Sequence, residues 1–232
     1  MRINQYLSAA GFCSRREADK LIQEGRVKIN GRIARLGDEV EPTFSVLVDG
    51  KKVARTNKKH YLAFHKPPGV VCTTDESVRG NIVQYIGFPS RIFPIGRLDK
   101  DSEGLILMTS DGDVVNRVLR AEHGHQKEYE VTLKRAIRDD QIARLVEGVE
   151  IFNPVKGERV IAKAHSCERI GPKELRIVLT QGLNRQIRRM CEAVGHDVKV
   201  LRRVRIMHIK LGKLPLGHYR ELSKEEVKGL FR

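Results

Sequence analysis

The first fifty positions alternate apolar and polar residues with two different periods. Ile3, Leu7 and Ala10 recur at helical spacing, and Gly11 ends that helix. Ser14 then stands as an N-cap with Glu17 three residues on, the capping-box pair that opens a second helix running to Gly25. Beyond it the period changes to two. Val27, Ile29 and Ile33 alternate with polar residues around Asn30-Gly31, a dipeptide that tolerates the left-handed backbone of a tight hairpin. The segment 49–60 is basic, turn-rich and short of large apolar side chains, so it reads as a last edge strand and a linker, with a domain boundary near residue 59.

From residue 60 onward short apolar runs alternate with helical stretches. Strands are expected at 61–64, 70–72, 105–108, 129–133 and 175–179, and helices at 113–120, 139–147 and 185–194. The pattern predicts an α+β protein: a small N-terminal helix-helix-hairpin domain over 1–59, then a domain over 60–232 built on a mixed, largely antiparallel sheet with flanking helices. No internal repeat is visible.

Charge changes the picture more than size does. The chain has 232 residues and 44 Lys and Arg against 29 Asp and Glu, a formal charge of +15. Residues 1–60 hold 13 basic against 7 acidic side chains, so both parts are basic and both can face one polyanion. Hydrophobic residues make up 40%, enough to build a core without a partner. No run approaches the roughly 20 apolar residues of a membrane-spanning helix, and the N-terminus lacks the apolar stretch of a signal peptide, so a soluble, cytoplasmic protein is expected, with no membrane partner and as a monomer.

Chemistry-bearing residues fall into three clusters. In the first domain Arg2, Arg15, Arg16, Lys20, Arg26 and Lys28 flank the second helix, a pattern that suits phosphate contact as well as a plain solvated face. In 183–205, seven basic residues, among them Arg185, Arg188, Arg189, Arg202, Arg203 and Arg205, stand against Glu192 and Asp197 alone. Here phosphate contact is favoured, while Ile187, Met190, Cys191 and Val194 form the stripe by which the helix docks. The third cluster, GRLDKDSEGLIL at 96–107, puts Arg97, Asp99, Lys100, Asp101 and Glu103 just ahead of an apolar strand, in a loop and not on a helix face. Spacing does not choose between Asp99 and Asp101, and a charged turn of no function reads the same way.

Several classes are left without their machinery. There is no GxGxxG and no Walker loop, so no nucleotide cofactor is expected. The histidines, His123 and His125 among them, form no HExxH, and Cys13, Cys72, Cys167 and Cys191 lie singly. No metal site is expected, and the thiols read as buried or idle. No GxSxG elbow anchors a hydrolase triad.

Four segments together, KPPGVV at 66–71, GRLDKDSEGLILMT at 96–109, KEYEV at 127–131 and QGLNRQIRRM at 181–190, resemble the RsuA-type ribosomal RNA pseudouridine synthases. The first fifty residues look like the small RNA-binding domain first described in ribosomal protein S-four. Wording such as FPIGRLDKDS and LNRQIRRMCE is closest to the branch acting on large-subunit RNA. The resemblance implies isomerisation of a uridine within ribosomal RNA, with transfer RNA open as a second substrate and with neither cofactor nor metal. It assigns the catalytic carboxylate to Asp99, which either attacks ribose C1′ or removes the C2′ proton. It also assigns the ring against the uracil to Tyr129 and the cation paired with the aspartate to Arg188, with Arg97 touching phosphate or base. The polar Lys127 and Glu128 beside Tyr129 suggest an edge strand for that segment. A noncatalytic RNA-binding or ribosome-assembly factor would share the fold but have less reason to keep Asp99, Tyr129 and Arg188 together. An RNA methyltransferase behind the same first domain would need a Gly-rich cofactor loop.

Overall fold

The computed structural model describes residues 1–54, 58–119 and 124–231. Residues 55–57 of the expected linker, Arg120 at the expected helix end and His123 lie outside the described residues. Contacts divide the chain into two compact units. One holds Met1–His60 with Phe88–Ile92 and Thr109–Asp113, and the other holds the rest.

The first unit opens with α1 (Ile3–Ala9) and α2 (Arg15–Gln23). Ser14 Oγ accepts from the Glu17 N–H, and the Glu17 carboxylate accepts from the Ser14 N–H, so the capping box forms as read. Strands β1 (Val27–Ile29), β2 (Arg32–Ile33), β3 (Val46–Val48) and β4 (Lys51–Lys52) make one sheet in the order β2-β1-β3-β4, with β4 at an edge. The β1–β2 turn has Asn30 at φ 48° and Gly31 at φ 84°, the doubly left-handed turn whose twist matches a hairpin. Ile3, Leu7, Ala18, Leu21, Ile22, Val27, Ile29, Val46 and Val48 close the core of this unit.

The larger unit is arranged around a nine-stranded sheet. Its elements, in chain order, begin with β5 (Tyr61–Lys66), α3 (Ile82–Ile86), β6 (Phe93–Ile95), β7 (Glu103–Thr109), α4 (Gly112–Leu119) and β8 (Lys127–Leu133). They continue with α5 (Asp139–Glu147), β9 (Val149–Asn153), β10 (Glu158–Ala162), β11 (Ser166–Gly171) and β12 (Glu174–Leu179). Last come α6 (Gln186–Ala193), β13 (Val198–Ile206), β14 (Ile209–Lys210), β15 (Tyr219–Glu221) and α7 (Lys224–Gly229). Strand order is β11-β12-β8-β13-β7-β5-β15, with β14 on β13 and β6 on β7, while β9 and β10 pair apart.

The sheet is mixed because β13 runs parallel to β7 and antiparallel to β8. Strand β7 is buried at every position from Gly104 to Thr109, the continuous apolar reading of a strand covered on both faces. Val114 and Val118 of α4 share a core cluster with Leu105 and Leu107 of β7, and α6 buries Ile187, Met190 and Cys191.

Three expectations change. Residues 70–72 form no strand; Val71 makes only an isolated bridge to Asn81, beside Gly69 at φ 89°. Strand β8 is no edge, since β12 and β13 flank it on its two sides. Residues 198–206, read as a basic cluster, are the longest strand described, with Arg203 turned inward.

Candidate functional site

Asp99 lies between β6 and β7, in a loop whose backbone carbonyls are held by three cationic side chains from three elements. Arg203 on β13 donates from Nε to Leu105 O at 2.7 Å and from Nη1 to Arg97 O at 3.1 Å. At the end of β5, Lys66 donates from Nζ to Lys100 O at 3.2 Å and to its neighbour Pro67 O at 2.8 Å. Arg188 on α6 donates from Nη2 to Asp101 O and to Ser102 Oγ, both at 3.4 Å, and from Nη1 to Val198 O at 3.2 Å. Gly69 N–H adds a second donor to Lys100 O, and Asp99 O accepts from Ser102 N–H. The loop is thereby fastened on both sides of Asp99 and beneath it.

Close backbone approach completes the fastening. Gly104 opens β7 at φ 116°, and a Cβ there would stand 2.3 Å from Arg203 O and 2.4 Å from Arg203 N. Only glycine permits β13 to run this near at the Arg203–Gly104 register position.

The Asp99 carboxylate itself is half-buried and takes no hydrogen bond or ion pair among the described residues. It lines a cavity of about 560 Å3 together with Arg97, Lys127, Tyr129, Arg185 and Arg203, a volume in the range of sites that hold a small organic group. Tyr129 is 8% exposed, sits directly across from Arg203 in the β8–β13 register, and spends its hydroxyl on no partner among the described residues.

Electrostatics around the loop are dominated by burial. It pushes the Lys66 amine below the usual lysine range, with Asp99 and Asp101 partly opposing and Arg203 adding to the fall. Burial also lowers Lys127, and Arg203 adds to it. Arg188 is lowered by burial and then by Arg185, while Asp99 and Asp101 favour its charged form. A carboxylate with no hydrogen bond, close to cations engaged on backbone, is free to attack a carbon or to take a proton.

The expected direct fork between Arg188 and Asp99 is not formed: no hydrogen bond or ion pair joins them, and the guanidinium is taken by Asp101 O, Ser102 Oγ and Val198 O. Arg188 therefore holds the loop that carries the acid and reaches its charge through space. Arg203, grouped with phosphate-contacting surface arginines, is 3% exposed. Arg97 and Arg185 are exposed at the cavity rim, Arg185 with Asp101 at 3.5 Å. Arg202 is tied to Glu103 at 2.6 Å, and Arg189 donates to Phe152 O at 2.7 Å and to Asn184 Oδ1. In the first unit Arg2, Arg15, Arg16, Lys20 and Lys28 are exposed, whereas Arg26 is taken up by Asp49 at 2.6 Å and Glu24 at 3.1 Å.

Lys66, Ser102 and Lys127 escaped the reading of the sequence as site residues. Lys66 heads KPPGVV, but nothing local announces a lysine with no exposed surface. Lys127 could have been found from its spacing, two residues before Tyr129 and so on the same face of a strand. Among the described residues no group of three or more His, Cys, Asp and Glu could hold a metal ion, and no helix is long and apolar enough to cross a membrane.

Comparison with known proteins fits this geometry. A family model described as RNA pseudouridylate synthase matches residues 60–193, and one described as S4 domain matches residues 1–43. The chain is 45% identical over its full length to a protein of Escherichia coli named dual-specificity RNA pseudouridine synthase RluF, covering 79% of that protein. It is 34% identical, over 99% of its length and 95% of the relative, to the Bacillus subtilis protein named ribosomal large subunit pseudouridine synthase B. A crystal structure titled pseudouridylate synthase superimposes with a TM-score of 0.71 at 28% identity, covering 99% of each chain. With its S4 domain followed by the cavity that Asp99 and Tyr129 share, the chain belongs to the RNA pseudouridylate synthase family.

Proposed function

We propose that this protein isomerises one uridine of large-subunit ribosomal RNA to pseudouridine, with Asp99 as the carboxylate that acts on the ribose. The observation that carries the reading is an unpaired carboxylate on a loop fixed by three cations, sharing one cavity with the ring of Tyr129. A uridine stacked in folded RNA cannot reach such a wall, so the nucleotide leaves its stack, at a cost of a few kcal/mol that backbone contacts offset. The bond from C1′ to N1 breaks, the uracil turns, C1′ bonds to C5, the C5 proton leaves and N1 takes up a proton, so the product has the same composition as the substrate.

Asp99 either adds to C1′ as N1 departs and leaves again when C5 attacks C1′, or takes the C2′ proton and returns it as the bond to C5 forms. Its freedom from hydrogen bonds suits both, because a carboxylate committed to donors is a weaker nucleophile and a weaker base. Tyr129 supplies a face for the uracil and a hydroxyl for the C5 proton. Arg188 is a positioning residue that keeps the carbonyl of Asp101 and Ser102 in place. The exposed basic residues of the S4 domain orient the RNA through its phosphates. Transfer RNA, which the family resemblance leaves open, is the second substrate to examine.

The test maps pseudouridine in total RNA from cells with the gene, without it, and with Asp99→Ala in its place. A ribosomal position that is modified only with the intact gene supports the reading. Identical maps in all three would overturn it.

A further inference from the structure

Strands β9 and β10 pair apart from the large sheet and form a hairpin of their own. One face of it is buried through Val149, Ile151 and Ala162. On the other face Phe152 is 53% and Ile161 66% exposed, and the two are diagonal neighbours because Phe152 pairs with Arg159. Val155, in the connecting turn, is 78% exposed, the most exposed large apolar side chain among the described residues. Single exposed apolar residues are ordinary on a protein surface, whereas three on one hairpin mark a contact surface.

Of these three, Val155 alone borders the cavity that Asp99 and Tyr129 share. Its turn is built to hold it there. Asn153 Oδ1 accepts from the Val155 N–H at 3.1 Å, and the Gly157 N–H donates to Asn153 O at 2.9 Å with Gly157 at φ 70°. Pro154 adds a φ fixed by its ring. From α6, Arg189 bridges Phe152 O at 2.7 Å and Asn184 Oδ1 at 3.1 Å, and Asn184 also borders the cavity. The tip is thereby fixed against the rim before any ligand arrives, so little freedom is lost on binding.

A side chain so exposed at the mouth of the cavity meets the RNA that stays outside it. Arg97 and Arg185, exposed on the same rim, suit the phosphates of that strand. An aliphatic side chain gains nothing from a phosphate. The apolar surfaces that RNA offers are the faces of its bases, and extruding one nucleotide uncovers two of them. Apolar side chains pressed into such gaps are a general means of holding a nucleic acid distorted.

We infer that Val155 packs on the face of the base next to the extruded uridine, as a wedge that keeps the emptied place in the stack from closing. The inference rests on the reading of this cavity as the uridine site. It gives the hairpin tip an RNA contact remote from the reacting atoms, and it gives Arg189 the task of holding that tip at the rim.

The test measures kcat/KM on a ribosomal RNA hairpin that carries the mapped uridine, and on two companions in which the base on its 5′ or its 3′ side is replaced by an abasic ribose. On the intact hairpin Val155→Ser is expected to lose at least tenfold, while Val155→Ile stays within threefold. Ile161→Ser, which removes an exposed apolar side chain away from the cavity, should also stay within threefold. On one of the two abasic hairpins the loss in Val155→Ser should shrink below threefold, because the face that Val155 covers is gone. A side chain this exposed can be replaced with little effect on folding, so the loss reads the RNA contact.

No loss in Val155→Ser, a loss of equal size on all three hairpins, or an equal loss in Ile161→Ser would each overturn the inference. Conversion by the unaltered protein that is indifferent to Val155 sinks the wedge alone. No conversion of the intact hairpin by the unaltered protein sinks the reading of the cavity and the wedge with it.

Discussion

Replacing Gly104 by alanine would strike the contact that sets the height of the Asp99 loop. The new Cβ would stand 2.3 Å from Arg203 O and 2.4 Å from Arg203 N, both backbone atoms in the middle of a sheet, so no side chain can swing away. Relief requires β7 and β13 to part by about an ångström, which weakens a parallel pairing of two residues, Arg202 with Glu103 and Arg203 with Gly104. Overpacking of this sort costs about 1–3 kcal/mol, and the left-handed φ of 116° adds about 1–2 kcal/mol for an L side chain. The sum, about 2–5 kcal/mol, is a large share of the 5–15 kcal/mol typical of a domain. The comparison variant is Gly157→Ala, at φ 70° with nothing within 4 Å, which bears the backbone term alone. Urea unfolding of both separates the clash from the φ cost, and turnover on RNA should fall in Gly104→Ala even where the protein is fully folded. A Gly104→Ala protein no less stable than Gly157→Ala, with full turnover, would show that the strands do not hold the loop at the distance described.

Three further outcomes are expected. If about seven phosphates are contacted, RNA affinity should drop by roughly a thousandfold between 50 and 200 mM salt, and a flat response would mean that the exposed arginines serve some other end. Burial pushes the thiols of Cys13 and Cys167 up to about 11 and of Cys191 up to about 12. The folded chain keeps these protons where the unfolded chain, near 9.0, loses them, so their contribution is fully present below pH 9 and is lost as pH rises through 11 to 12. Stability should therefore decline above pH 9 by up to about 1.4 kcal/mol per pH unit per thiol, and a slope unchanged in Cys191→Ala would refute this. Arg188→Lys keeps the charge but loses the fork on Asp101 O and Ser102 Oγ, so kcat should fall by about tenfold or more with RNA affinity little changed; an equal loss in affinity would make Arg188 a contact to RNA instead.

What could be read from the sequence was what nearest neighbours determine. The Ser14–Glu17 capping box and the Asn30-Gly31 turn are local hydrogen-bond and φ requirements, and both stand in the structure as their residues demand. Strand β7 was legible because a run of apolar residues before a charged loop has few other destinations. Strand β13 was not, since its inward Arg203 breaks the apolar alternation that marks a strand, and the carbonyls that justify burying it come from residues about a hundred positions away. For the same reason Lys127 passed for the mark of an edge. It faces a cavity that exists only after β8, β13 and the 96–99 loop have come together. Asp99 and Asp101 remained a tie on spacing. The structure separates their surroundings by leaving one carboxylate at the cavity wall and setting the other against Arg185 at 3.5 Å.

The central claim is that the Asp99 carboxylate does the chemistry and that the basic surface only holds the RNA. Single-turnover conversion of the mapped ribosomal RNA segment by Asp99→Asn, with binding measured on the same preparation, tests it most directly. The account predicts RNA affinity within about threefold of the unaltered protein and no detectable pseudouridine. Pseudouridine formed at an undiminished rate by Asp99→Asn would contradict it.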